Sequence, residues 1–246
     1  MQKRVPVAPD AAHCSTCILG HVCVPVGMAA AEVEKLDELV KERVRLEKGK
    51  SLYSLNHPLD AVYSVRFGSL KTQLEDATGQ IQVTGFHLPG EIVGMDGMLD
   101  GKHVSTAVAL EDSEVCVIRL ADIDRVAAHL PSLQQQFRRL MSREINRSHQ
   151  MLASLGSMRS EQRLAAFLLN LSQRYASLGY SSTEFVLRMS REEIGNYLGL
   201  TLETVSRLFS RFARDGLIKK GLVYSAERGR IAFTVPHFGR YLREQT

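Results

Sequence analysis

Met189-Ser-Arg-Glu-Glu-Ile-Gly-Asn-Tyr-Leu-Gly-Leu-Thr-Leu-Glu-Thr-Val-Ser-Arg-Leu-Phe-Ser-Arg-Phe212 reads as two short helices joined by a tight turn. Ser190 and Glu193 have the spacing of a capping box, in which each side chain satisfies a backbone N–H at the helix start. Ile194, Leu198 and Leu200 give an apolar inner side, and Gly199 allows the sharp turn. Thr201 and Thr204 open the second helix. Val205, Leu208, Phe209 and Phe212 recur at helical spacing and form its inner face. Thr201, Glu203, Ser206, Arg207 and Arg211 are left outside. Arg can donate two bonds to guanine, Glu can accept from cytosine N4, and Ser can meet either kind of base. The stretch therefore predicts a helix-turn-helix whose second helix contacts duplex DNA through these five residues.

Its flanks extend the reading. Residues 160–176 predict a helix with Leu164, Phe167, Leu168 and Leu171 on one face, and 184–188 a short strand. Residues 217–220, 222–224 and 230–235 predict a small β-wing. Residues 157–246 carry 14 Lys and Arg against 8 Asp and Glu, whereas the chain as a whole is only +4. A basic third is what phosphate contacts require.

Toward the N-terminus the period changes. Short apolar or alternating runs at 51–55, 61–67, 69–74, 80–88, 92–95, 105–110 and 115–120 are separated by turn residues such as Pro89-Gly90 and Asp100-Gly101. This predicts an antiparallel sandwich or jelly roll. Residues 28–43 predict a helix, with Val33, Leu36, Leu39 and Val40 at helical spacing. Residues 121–155 predict a long helix that Pro131 kinks or restarts. Phe137, Met141, Ile145, Ser148, Leu152 and Leu155 form a coiled-coil-like stripe along it. A helix joining two domains cannot easily bury such a stripe internally, so it predicts a homodimer.

Residues 1–27 read as a loop that needs something to order it. They contain Cys14, Cys17 and Cys23. The chain has four cysteines, and the fourth, Cys116, falls in an apolar strand run. Four thiolates can hold one iron–sulfur cluster or one tetrahedral zinc, and the spacing alone leaves both open.

No apolar run is long enough to span a bilayer, and the N-terminus has no secretory hydrophobic region. A cytoplasmic protein without membrane contact is expected, where thiols stay reduced. Nucleophile elbow, P-loop and dinucleotide fingerprint are missing, so no enzyme and no catalytic residue is expected.

Taken together, the chain resembles the FNR branch of the CRP/FNR regulators. The segments that carry the resemblance are the four cysteines, Thr84-Gly-Phe-His-Leu-Pro-Gly-Glu-Ile-Val-Gly, Leu140-Met-Ser-Arg-Glu-Ile, Arg163-Leu-Ala-Ala-Phe-Leu-Leu-Asn-Leu-Ser and Ile194-Gly-Asn-Tyr-Leu-Gly-Leu-Thr-Leu-Glu-Thr-Val-Ser-Arg. The resemblance implies an α+β fold. Its parts are a cysteine segment (1–27), a cyclic-nucleotide-binding-like β jelly roll (28–120), a dimerisation helix (121–156) and a winged helix-turn-helix (157–246). It implies an oxygen-labile [4Fe–4S] cluster on Cys14, Cys17, Cys23 and Cys116. It also implies a dimer seam through Phe137, Met141, Ile145, Ser148 and Leu152, a palindromic TTGAT-N4-ATCAA-like site, and RNA polymerase contact near residues 76–79. Two positions depart from the pattern. The CRP branch holds a cyclic-nucleotide phosphate with an Arg, but here the segment is His103-Val-Ser-Thr-Ala107 and no Arg lies between Arg66 and Arg119, so no cyclic nucleotide is expected. Ser148 stands where well-known FNR proteins place an Asp. The alternative keeps the fold but gives it a structural zinc or another signal.

Overall fold

The computed structural model describes residues 3–7, 13–76, 78–219 and 229–233. In chain order they form β1 (Lys3–Pro6), a 3-10 turn at Cys14–Thr16, α1 (Ala30–Val33) running into a 3-10 helix at Glu34–Leu39, and β2 (Glu42–Leu46). There follow β3 (Ser51–Tyr53), β4 (Ala61–Phe67), β5 (Leu70–Glu75), β6 (Ile81–His87), β7 (Ile92–Val93), β8 (Thr106–Ala109) and β9 (Ser113–Arg119). Then come α2 (Leu120–Ala127), α3 (Pro131–Ser157), α4 (Ser160–Ser177), β10 (Glu184–Leu187), α5 (Arg191–Leu198), α6 (Leu202–Arg214), β11 (Ile218–Lys219) and β12 (Gly229–Phe233). The chain divides into two compact units, Met1–Asn146 and Arg147–Thr246, with the division inside α3.

The first unit is the antiparallel β-roll. One sheet has the order β1-β2-β9-β4-β7 and the other β3-β8-β5-β6. Because side chains alternate along a strand, β9 sends Val115 and Val117 into one core and Cys116 and Ile118 to the opposite face. Val115 and Val117 join Val65, Leu70 and Ala107 in the roll interior. Ile118 joins Val62, Leu36, Leu39, Leu133 and Phe137 in a second core, against which Cys14, Cys23 and Cys116 pack. The same alternation that builds the roll thus delivers Cys116 to the side where the cysteine loop lies.

Two expected elements differ, and at Pro131 the restart is the alternative realised. The helix expected over 28–43 stops early, because Glu42 and Arg43 pair with Val117 and Cys116 of β9; sheet pairing overrides a weak helical preference. The N-terminal loop contains β1, an edge strand on β2 that ends at Pro6, where a missing N–H is tolerated. The helix expected from 121 is two helices. Pro131 starts α3, the position where its fixed φ and absent N–H suit a helix.

The second unit holds α4, a sheet of order β10-β12-β11, and the α5–α6 pair. β11 and β12 pair antiparallel. The remainder of the expected wing, including 222–224, lies outside the described residues.

Candidate thiolate pocket and nucleic-acid interface

The cysteine loop is built from consecutive turns. Thr16 N–H donates to His13 O at 3.2 Å, Gly20 N–H to Cys17 O at 3.0 Å and Cys23 N–H to Leu19 O at 2.9 Å. Ser15 fastens the loop to the 3-10 helix: its N–H donates to Asp37 Oδ1 at 2.9 Å and its hydroxyl to Asp37 Oδ2. Cys23 Sγ lies 3.0 Å from Ser64 Oγ on β4. All four cysteines are free thiols, and all four line one pocket together with His13, Arg43, Ser64, Arg66 and apolar side chains.

Burial dominates the electrostatics of this pocket. Burial, then the charges of Cys23, Cys116, Asp37 and Cys17, push the Cys14 thiol far above its ordinary range. Burial also raises Cys23, against the Ser64 hydrogen bond. Cys116 is pushed up to about 11 by burial and by Cys23, while Arg43 and Arg66 pull it back. Four thiolates gathered in an apolar pocket repel one another, so ionising them together needs a positive centre, and binding one would release protons. Among the described residues no three His, Cys, Asp or Glu side chains are gathered at the spacing of a metal site. The donor set fits a thiolate-ligated centre of iron or zinc.

His13, Arg43 and Arg66 are given no role by the sequence reading. His13 Nδ1 is buried with no hydrogen-bond partner in the same pocket. Its proximity to Cys14 in sequence was the only available signal. Arg43 and Arg66 are brought in by sheet register, which sequence spacing does not reveal.

The reader is built as expected. Glu193 N–H donates to Ser190 Oγ at 3.1 Å, and Ser190 N–H to Glu193 Oε2 at 2.7 Å. Gly199 closes α5 at φ 64°, a left-handed conformation that favours glycine. Thr204 N–H donates to Thr201 Oγ1 at 3.2 Å, so the Thr201 hydroxyl caps α6. Val205, Leu208, Phe209 and Phe212 are buried. Glu203 and Arg207 are exposed and Ser206 half-buried. The Glu203 carboxyl is held below the usual range by its own backbone N–H and by Thr201. Arg211 is exposed, but it is ion-paired to Glu161 and lies 3.6 Å from Asp215. Ser206, Arg207 and Arg211 share a concave basic surface with Arg191, Ser210 and Arg214, three residues the sequence reading did not single out.

Arg163 braces this unit. Its guanidinium donates to Met158 O at 3.0 Å, Leu198 O at 3.1 Å and Leu155 O at 2.9 Å, satisfying carbonyls at the C-terminal ends of two helices, α3 and α5. On α3, Met141, Ile145 and Leu152 are 38%, 56% and 66% exposed, which is unusual for large apolar side chains on one stripe. Ser148 is exposed too. Phe137 is not: its ring is buried in the core of its own unit, so the exposed stripe begins at Met141.

Known domain families match both units: the Crp-like helix-turn-helix domain over residues 162–226 and the cyclic nucleotide-binding domain over residues 43–129. The chain is 84% identical over 219 residues to the transcriptional regulatory protein btr of Bordetella pertussis, covering 89% of this chain and 90% of that one. It is 40% identical over 216 residues to the fumarate and nitrate reduction regulatory protein of Salmonella typhimurium, covering 88% and 86%. The chain belongs to the FNR branch of the CRP/FNR family. Among solved structures it resembles FixK2 from Bradyrhizobium japonicum, with a TM-score of 0.72, 26% identity, and coverage of 80% of this chain and 95% of that one. Its relatives are transcription regulators rather than enzymes.

In this FNR-type chain the segment His103–Ala107 is organised around a carboxylate. Asp96 Oδ2 accepts from Val104 N–H at 3.1 Å, Ser105 N–H at 2.9 Å and Ser105 Oγ at 2.7 Å, and Asp96 Oδ1 lies 3.0 Å from His103 Nδ1. The His103 ring stacks on Tyr53 at 3.6 Å. A phosphate there would meet a negative charge. No described helix is long and apolar enough to cross a membrane.

Proposed function

We propose that this regulator is a cytoplasmic oxygen sensor whose DNA binding depends on a [4Fe–4S] cluster held by Cys14, Cys17, Cys23 and Cys116. The observation that carries the reading is the sharing of one apolar pocket by three thiols of a loop and one of strand β9. Bound there, the cluster supplies an oxygen-labile iron centre that links loop to sheet. The cysteines then tie residues 1–27 to the β-roll of 28–120, and releasing them frees the loop, which makes a two-state element. The exposed Met141, Ile145 and Leu152, with Ser148, form the seam of a homodimer along 121–156. Phe137 supports that seam from inside its own core. The dimer presents two copies of 157–246 to a TTGAT-N4-ATCAA-like palindrome, because two recognition helices must meet half-sites one turn apart. Glu203, Ser206 and Arg207 read bases. Arg211 joins them once Glu161 lets it go, and Thr201 supports them as the cap. The loop at 76–79, where Asp76 accepts from Thr78 and Gln80 N–H, touches RNA polymerase to activate or repress anaerobic genes. No cyclic nucleotide takes part.

Purification without oxygen, followed by iron, sulfide and zinc analysis and a visible spectrum before and after air, tests this. Iron and sulfide in the ratio of a [4Fe–4S] cluster, with colour that bleaches in air, supports the reading. Zinc without sulfide replaces it with a structural four-cysteine site, which the same thiols suit.

A further inference from the structure

Glu114 and Cys116 lie two residues apart on β9 and so share a face. Register sets Arg43 of β2 directly opposite Cys116 on one side and Ser64 of β4 opposite it on the other. Glu114 in turn receives three arginines: Arg66 Nη1 at 2.8 Å, Arg45 Nε at 2.9 Å and Arg43 Nη1 at 3.8 Å. The side chains of Glu114 and Arg43 are only 12% exposed. One carboxylate is thus shared by three guanidiniums. The three are not placed alike. Arg43 and Arg66 line the cysteine pocket, whereas Arg45 does not line it and is 65% exposed. Buried charge is costly unless something compensates it. Four thiolates around a doubly positive centre leave two negative charges to be compensated, whether that centre is zinc or an iron–sulfur core.

We infer that Arg43 and Arg66, held by Glu114, are the counter-charges of the four-cysteine pocket and set how tightly it holds a thiolate-ligated centre. The inference rests on reading the pocket as a metal site. The two arginines are positioning residues: they touch no metal, but they make it less costly for four cysteines to be thiolates at once. Outer groups of this kind change metal affinity by about 10–100-fold when removed. Glu114 keeps the guanidiniums at the pocket wall instead of in solvent.

The full-length reduced protein, titrated with Co²⁺ under nitrogen and followed by the thiolate-to-cobalt charge-transfer band, separates the possibilities. Arg66→Gln and Arg43→Gln each weaken Co²⁺ binding on the order of 10-fold. Arg66→Lys, which keeps the charge, restores most of it. Arg45→Gln, which removes a Glu114 partner outside the pocket, stays within about 2-fold of the parent. Circular dichroism identifies any variant that does not fold; should Arg43→Gln fail, Arg66→Gln decides, because its side chain is 32% exposed. A parent that gives no thiolate band overturns the metal-site reading itself. A parent that binds, with Arg66→Gln unchanged or Arg45→Gln equally weakened, overturns the counter-charge role alone.

Discussion

A methyl group at position 195 would sit 2.7 Å from the backbone oxygen of Leu200 and 3.3 Å from Val205. Gly195 therefore sets how closely α5 approaches the turn that launches α6. Gly195→Ala is expected to cost about 1–3 kcal/mol, since a backbone carbonyl cannot swing aside as a side chain can. At about 4–8 °C per kcal/mol for a unit of this size, calorimetry will show a clear fall in the Tm of the DNA-binding unit. Glu114 makes a second prediction. Burial opposes its ionisation, but hydrogen bonds and charge from Arg45, Arg66 and Arg43 hold its carboxyl below the ordinary 4.5. A folded value below the unfolded one stabilises above the unfolded value, and this is lost as pH falls through the lowered value. The Tm gap between parent and Glu114→Gln is expected at neutral pH and should shrink below about pH 4.5; a gap independent of pH would contradict this. The Cys14–Cys23 cluster, the Ser190–Glu193 box and Gly199 were legible in the sequence because each shows in residue type and local spacing. The Glu114 network was not, because Arg43 and Arg66 reach it only through strand pairing across distant stretches.

Elements were legible where local preference and tertiary context agree. The α5–α6 pair has caps, a left-handed glycine and an apolar face that all give one answer. Glu42 and Arg43 do not: they continue a helical composition, yet they pair with β9 as the start of β2. The stripe on α3 was read from spacing, but which of its members face a core was not, and Phe137 turns inward. Its outward part carries the next prediction. Leu152→Glu places a charge on a side chain that is 66% exposed in the single chain, so it leaves the monomer folded while opposing pairing at the seam. Sedimentation of the anaerobic protein should shift from dimer to monomer with helicity unchanged. A dimer that persists would place the interface elsewhere. Ser148→Asp adds a charge to the same stripe; under the proposed switch, sedimentation should show the air-exposed protein loosened most.

At the scale of the whole molecule, a four-cysteine pocket and a Crp-like helix-turn-helix occupy two separate compact units of one chain. The family was legible because chemistry-bearing residues at both ends matched it at once. On the proposed reading the signal is a property of what the four cysteines hold, and spacing leaves iron–sulfur and zinc alike open. A switch of this kind requires that occupancy of the pocket and affinity for DNA change together, since an equilibrium shifts only by differential binding to its two states. The measurement that decides it is fluorescence anisotropy of a TTGAT-N4-ATCAA duplex, titrated with one anaerobic preparation before and after air, with iron and sulfide assayed on the same samples. The account predicts tight binding by the iron-loaded protein and a loss of at least about 10-fold, or about 1.4 kcal/mol, once the iron and sulfide are gone. Equal affinity for the duplex in both samples would contradict it.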